Sequence, residues 1–200
     1  MIKVFILAIV GLMLFSGCST KVASITEYKL STPRKVESLS SNSAKKTTLK
    51  VLDAYAKEQL MQSSMYYGVG KLHLYRYNES SWLIAPNKAI TQKLMLMLED
   101  TNTFSSVVSE HSRARTDKIL EIEVEDFMHY FAEDEKSSFV NIAFRLTLID
   151  RESSTIIASQ SFKARDSVAT QNAQGGVETL DTLLNTLLQK STKWLAKTCQ

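Results

Sequence analysis

The 200-residue sequence contains very little cysteine and little glycine. Its two cysteines, Cys18 and Cys199, allow at most one bridge, so a disulfide-rich scaffold is excluded and the fold must depend on packing. Among the six glycines, Gly68-Val69-Gly70 lacks the third glycine and the following helix of a nucleotide-binding loop, and therefore predicts a turn.

Neither sign of charge dominates the chain. It has 24 Lys and Arg residues against 21 Asp and Glu residues, a formal net charge of +3, and the two signs are interspersed along its length. A protein that binds nucleic acid normally concentrates basic residues in a patch or stripe. The sequence therefore predicts no nucleic-acid partner.

Recognisable catalytic and metal-binding patterns are also missing. No Gly-x-Ser-x-Gly elbow occurs, and no pair among His73, His111 and His129 has metal-ligand spacing on one element. A run of three glutamates shares one face of a predicted strand, which is typical of a solvated surface: Glu121, Glu123 and Glu125. We therefore predict a non-enzymatic protein without metal or cofactor. The alternative is a periplasmic hydrolase or metal enzyme that uses the three histidines.

The chain has one long apolar run, and it lies at the beginning. Lys3 is followed by apolar residues from Val4 to Phe15 and then by Ser16, Gly17 and a cysteine, which is the layout of a secretory signal. The run is shorter than the ~20 apolar residues that a membrane-spanning helix needs. We therefore predict that residues 1–17 are a signal peptide and that the chain leaves the cytoplasm.

The end of this run resembles the bacterial lipoprotein box. In that box, which Leu14-Phe-Ser-Gly-Cys18 matches, the cysteine is acylated, with palmitate among its chains, and becomes the new N-terminus. Several acyl chains give stable anchoring where one is marginal. Residue 19 is Ser rather than Asp, which by the enterobacterial sorting rule implies the outer membrane, periplasmic side. The alternative is a free cysteine in an ordinary signal peptide.

Residues 18–24 are then a lipidated tether, and residues 25–200 are long enough for one domain. Alternating patterns predict strands over 25–30, 47–54, 71–77, 104–109, 118–131, 139–150 and 155–165, and polar clusters predict a loop over 31–46 and a turn over 78–81. Helical spacing predicts one helix opening at 82–86 and another running from Val177 to the C-terminus. The predicted fold class is α+β, a mixed, largely antiparallel sheet with two main helices packed on one face.

Methionine and tyrosine side chains are the soft, amphipathic part of the composition. They suit either ordinary core packing or a surface for a greasy ligand or a partner protein. Both interpretations apply to Met61, Met65, Tyr66, Tyr67, Tyr75, Tyr77, Met95 and Met97. Among them we predict Tyr75 and Tyr77 as a partner surface.

Besides the lipoprotein box, the chain contains several short motifs, which are Tyr28-Lys-Leu30, Trp82 with Ala85-Pro86, Phe104 with Val107-Val108, and Trp194-Leu195. Together these motifs resemble a known family, the ABC-type transport auxiliary lipoproteins, which are outer-membrane partners of MCE-type lipid transport systems. The resemblance implies a small mixed sheet with two main helices and a non-enzymatic role. The implied partners are an MCE-domain protein of an ABC transporter, the outer membrane through the lipid anchor, and lipid. The alternative is an outer-membrane assembly or pilot lipoprotein for a lipopolysaccharide or secretion channel.

Overall fold

The computed structural model of the protein describes residues 24–32 and 47–199. The predicted signal peptide over 1–17, Cys18, all of the tether except Ser24, and most of the predicted loop over 31–46 lie outside these residues. Neither helix within the described ranges is long and apolar enough to cross a membrane.

Nine strands and two α-helices make up the described chain. In sequence order they are β1 (Thr26–Tyr28), β2 (Thr48–Val51), β3 (Tyr55–Ala56), β4 (Ser64–Val69), β5 (His73–Trp82), α1 (Pro86–Thr101), β6 (Ser106–Ser109), β7 (Lys118–Phe131), β8 (Ser138–Asp150), β9 (Thr155–Ser167) and α2 (Ala173–Thr198). One 3-10 turn, Glu58–Leu60, lies between β3 and β4.

Strand β7 is the centre of the sheet. Along one of its edges it pairs with β8 over its whole length, in antiparallel register. Along its other edge it pairs in parallel with three short strands, first β2, then β3, then β4. The sheet continues from β2 to β6 and from β4 through β5 to β1, so it forks on this side.

The meander β7–β8–β9 confirms the prediction from alternation. Its two hairpins are antiparallel, with Glu123 opposite Arg145 and Phe144 opposite Phe162. Because successive side chains alternate between faces, Leu120, Ile122 and Val124 are buried while the glutamates between them point to the other face.

Both helices cover the same face of the sheet. Helix α2 packs on β7, β8 and β9, and α1 packs on α2, β6 and β7. Helix α1 starts with Pro86, whose missing N–H has no partner to lose there, and ends at Asn102 in a left-handed conformation with φ 51°. The interface is a single core, whose fully buried side chains include Phe127, Phe144, Leu49, Ile90, Leu94, Met97, Leu98, Leu120, Ile142, Leu146, Leu148 and Leu180. The predicted α+β class, with two helices on one face of a mixed sheet, is confirmed.

Three local predictions are wrong. Residues 78–81 do not turn: they continue β5, because β1 pairs beside them and supplies backbone partners that a local polar cluster cannot reveal. Trp82 ends that strand and does not open the helix, which starts at Pro86. Helix α2 starts at Ala173 rather than Val177, because the Asn172 side chain accepts a hydrogen bond from the Gly175 N–H and caps the first turn.

An ion pair lies between the two helices. Lys93 of α1 is 3% exposed and binds the carboxylate of Asp181 of α2. That carboxylate also accepts a hydrogen bond from the Ser31 N–H at 3.1 Å, just after β1. The pair therefore ties the first described segment of the chain to both helices.

An aromatic groove as the candidate functional site

A groove of about 780 Å³ opens at the end of the sheet where β4 and β7 finish and α2 begins. Strand β1 brings Tyr28 to it, β4 brings Tyr67, β5 brings Tyr77 and β7 brings Phe131. The first turn of α2 and the polar residues before it form the opposite wall. Four separate strands thus place aromatic rings in one concave surface.

The rings pack against one another around Tyr67. Its ring centroid lies 4.4 Å from that of Tyr77, 5.4 Å from Phe131 in an edge-on arrangement, and 5.6 Å from Tyr75 in a stacked one. The register explains this grouping, because Tyr67 lies directly opposite Tyr75 on β5 and His129 on β7. The groove therefore has a rigid aromatic lining with polar hydroxyl groups.

A buried histidine forms the floor behind these rings. Nδ1 of His129 lies 3.0 Å from the Tyr77 hydroxyl, and its ring is packed against Phe131 at 4.4 Å. Burial lowers the pKa of His129 to about 4 and raises that of Tyr77, so both groups are neutral at neutral pH. The first turn of α2 approaches this ring so closely that a Cβ on Gly176 would lie 2.6 Å from Nδ1.

The two residues predicted as a partner surface differ in exposure. The Tyr75 side chain is 48% exposed, whereas Tyr77 is half-buried and bonded to His129. Tyr75 is therefore accessible beside the groove, while the Tyr77 ring lines the groove and its hydroxyl is held by His129. Their role in partner binding stays a prediction.

The other members of the methionine and tyrosine set divide between core and surface. Met65 and Met97 are buried in the core, as expected of ordinary packing. Met61 is 48% exposed, and Tyr66, Tyr67 and Met95 are half-buried. Core packing is therefore correct for Met65 and Met97, and a surface role stays open for Met61 and the tyrosines.

The three histidines occupy three different environments. His73 is exposed at the start of β5, His129 is buried behind the groove, and His111 is exposed in the loop after β6. The ligand atoms of Asp53, Glu110 and His111 all lie within 4.8 Å of one another. Exposed polar groups often cluster in this way, and no buried, unpaired ligand accompanies them in the described chain, so we assign no metal to them.

The glutamate face of the sheet carries surface ion pairs. Glu125 receives Lys163 at 2.8 Å and Arg145 at 3.2 Å, and these hydrogen bonds hold the pKa of its carboxyl below the usual range. Glu121 and Glu123 are exposed on the same face. This geometry matches the predicted solvated face.

Two residues of this region are not recognisable from the sequence. Phe131 is the last residue of a strand, a position that gives no periodic signal, and Gly176, which lies against His129 behind the groove, falls in a polar stretch before the predicted helix. The alternation of Tyr75 and Tyr77 correctly placed both rings on one face of β5. Only the parallel pairing of β4 with β7, which no local pattern shows, brings Tyr67 beside His129.

Comparison with solved structures gives the same fold. Protein XCC0632 from Xanthomonas campestris is similar with a TM-score of 0.74 and 15% identity, over 86% of this chain and 96% of that one. A second solved structure, of an uncharacterised protein, has a TM-score of 0.64 and 13% identity, over 86% of this chain and 99% of that one. At these identities the likeness concerns the fold alone. No curated protein matches the sequence.

A family model gives the further result. The model described as the ABC-type transport auxiliary lipoprotein component matches residues 28–190, which include every described strand and helix except the first residues of β1 and the last turns of α2. The match extends across the sheet, both helices and the aromatic groove. This chain therefore belongs to the ABC-type transport auxiliary lipoprotein family, a family of membrane-anchored lipoproteins.

Proposed function

We propose that this lipoprotein is the auxiliary component of an MCE-type ABC transport system that moves phospholipid or a similar apolar lipid between the inner and outer membranes. The observation that carries the proposal is the family match over residues 28–190. Acylated Cys18 holds the protein on the periplasmic side of the outer membrane. The folded domain then binds the MCE-domain protein, which extends from the inner membrane.

The aromatic groove supports a binding role. Aromatic side chains bury large apolar areas at low cost in side-chain entropy, and central aromatic anchors often dominate the energy of an interface. In the groove, Tyr67 is fixed by its neighbours and Tyr75 is 48% exposed beside it. The groove offers a partner aromatic rings on the strands and polar side chains on the facing wall, which suits a mixed apolar and polar segment.

The proposed role involves no catalysis. His129 is neutral and packed behind the groove, and its Nδ1 lies 3.0 Å from the Tyr77 hydroxyl, which supports a role of this pair in positioning the rings. A broad hydrolase screen tests the point, with the triple alanine variant of His73, His111 and His129 as control. Turnover that disappears in the variant would show an enzyme.

Crosslinked co-purification from native membranes tests the partner. We expect an MCE-domain protein in the eluate. We expect Tyr75→Ala, which removes the exposed ring stacked on Tyr67 beside the groove, to weaken its binding by ~30-fold, since losing an aromatic anchor costs about 2 kcal/mol. Tyr55→Ala is the matched control, because Tyr55 is 70% exposed on β3 and is not part of the groove.

Two outcomes contradict the proposal. Recovery of an outer-membrane barrel protein or a secretin in place of an MCE-domain protein would assign the chain to channel assembly. Equal loss of the partner in both tyrosine variants would remove the groove from the interface. Tyr77→Phe, which keeps the ring and loses only the hydroxyl bond to His129, should bind as the unmodified protein does.

A further inference from the structure

The turn between β4 and β5 presents apolar side chains to solvent. Leu72 at its tip is 90% exposed, and Leu74 just after it is 48% exposed. Lys71 lies beside them in the same turn, also exposed. A single exposed apolar residue is ordinary, but exposed apolar residues grouped at one point of a surface mark a site that meets something apolar, and Leu72 and Leu74 are grouped in this way at the tip.

The tip is rigid. Gly70 begins the turn with a φ of 59°, which an L side chain rarely adopts, and its N–H donates to the Phe131 carbonyl at 3.0 Å. Strand β5 pairs with β4 from His73 onward, so the turn is held at both of its ends. Leu72 is therefore carried on a braced hairpin and not on a loose loop.

The register of β1 places the predicted anchor at this end of the molecule. Strand β1 runs parallel to β5, with Thr26 beside Ser80, so the chain enters β1 from the side on which β5 begins. Six residues lead from Cys18 to Ser24. At ~3.3–3.6 Å per residue they reach about 20 Å at most, which is about the distance along β5 from Ser24 back to the hairpin tip.

The opposite end of the sheet, at the β8–β9 turn, is too far from Ser24 to lie at the same membrane. Strand β7 has 14 residues, so the turn between β8 and β9 lies about 45 Å from the hairpin tip at ~3.3 Å per residue. A membrane that holds an acyl chain within about 20 Å of Ser24 faces the hairpin end and not the β8–β9 turn.

We infer that the β4–β5 hairpin tip inserts into the phospholipid leaflet that holds the acyl anchor, with Leu72 and Leu74 among the upper acyl chains and Lys71 at the lipid phosphates. Side chains with an apolar body and a cationic head favour this interface. Glu133 and its acidic neighbours in the β7–β8 turn lie at the same end, and their carboxylates limit insertion to the tip. The inference rests on the acylation of Cys18, which the proposed function also uses.

Quenching by brominated lipid tests the insertion. The full acylated protein is purified as Leu72→Trp and, as matched control, Ile156→Trp, since Ile156 is 67% exposed at the β8–β9 turn. Each is reconstituted in vesicles of phosphatidylethanolamine with a minor fraction of phosphatidylglycerol, with and without bromine on the acyl chains. Both proteins keep the native Trp82 and Trp194 as a common background.

We expect bromine to lower the emission contributed by Trp at position 72 roughly twofold and to leave position 156 unchanged, because insertion reaches only the headgroup and upper acyl region. Equal emission with and without bromine at position 72, or equal quenching at both positions, would overturn the inference. Mass spectrometry of the N-terminal peptide is run on the same samples. An unmodified Cys18 contradicts the anchor, whereas an acylated Cys18 without quenching contradicts insertion alone and leaves the proposed function standing.

Discussion

The two ends of the sheet are held together by different chemistry. At the hairpin end, aromatic rings from four strands meet over His129 and leave a groove and an exposed Leu72. At the opposite end, carboxylates bind backbone and side-chain donors: Asp117 accepts from the Thr48 N–H and hydroxyl at 2.7 Å each, and Asp150 pairs with Lys118. At the polar end Asp117 and Asp150 are paired with neighbouring donors, whereas the aromatic end leaves Leu72 and Tyr75 exposed.

Apolar packing behind the groove should contribute far more to stability than the hydrogen bonds and ion pair at the polar end. Phe127 is 2% exposed and lies 5.8 Å from Trp82, ring to ring, behind the groove. We expect Phe127→Ala to lower the free energy of unfolding by about 4 kcal/mol, since it leaves a cavity among side chains that cannot close around it. Urea denaturation monitored by circular dichroism measures this loss.

Lys118→Ala at the opposite end is the control for that prediction. Its partner Asp150 is solvent-accessible, and surface ion pairs contribute little to stability, so we expect a change several-fold smaller than that at Phe127. The hydrogen bonds that hold the pKa of Asp150 below its usual range also come from Ser153, and these remain. A loss at Lys118 equal to that at Phe127 would break the distinction between the two ends.

The hairpin end should also be the more sensitive to mild acid. Burial lowers the pKa of His129 from 6.5 to about 4, so the unfolded chain binds a proton more readily than the folded one between these values. The stability from neutral His129 is complete above pH 6.5 and is lost as the pH falls toward 4. Between pH 7 and pH 5 we expect a loss of about 2 kcal/mol.

The same urea titration of His129→Phe isolates this contribution. The variant keeps an aromatic ring against Phe131 and has no group that titrates in this range at position 129. We expect the free energy of unfolding of the unmodified protein to fall more than that of His129→Phe as the pH is lowered. An unmodified protein that loses no more stability than His129→Phe between pH 7 and pH 5 would show that His129 is not buried in the neutral form.

A second small effect is expected at the polar end. Asp117→Ala removes two hydrogen bonds to Thr48, which join the start of β2 to the residue before β7. Because Asp117 is exposed and water replaces it as acceptor, we expect a loss of only about 1 kcal/mol. Hydrogen exchange should show faster exchange of the Thr48 amide and little change behind the groove; faster exchange at His129 instead would mean that the two ends are coupled.

The part of the fold that the sequence predicts best is the β7–β9 meander. Its strands alternate over more than ten residues each and pair with sequence neighbours. The period alone therefore predicts which side chains face the core and which face solvent. The short strands before α1 pair in parallel with β7 across long sequence separations. No local pattern encodes such pairings, and residues 78–81, polar enough for a turn, are strand only because β1 lies beside them.

The candidate site follows the same division. Alternation is a property of a single strand, so the pattern in β5 could indicate Tyr75 and Tyr77 from the sequence. Their role in binding a partner stays a prediction. The ring set that completes the groove depends on β4, β7 and the capped first turn of α2 meeting at one end. Gly176 is required there by the His129 ring, a contact that only the tertiary structure reveals.

We expect the tip of the β4–β5 hairpin to face the membrane and the β8–β9 turn to face away from it. Paramagnetic broadening of amide signals tests it directly, on the acylated protein in nanodiscs whose lipid headgroups carry a gadolinium chelate. We predict strong broadening at Lys71–Leu74 and none at Thr155–Ile157, since these segments lie about 45 Å apart along β7. Equal broadening at both segments, or broadening confined to Thr155–Ile157, would contradict the account.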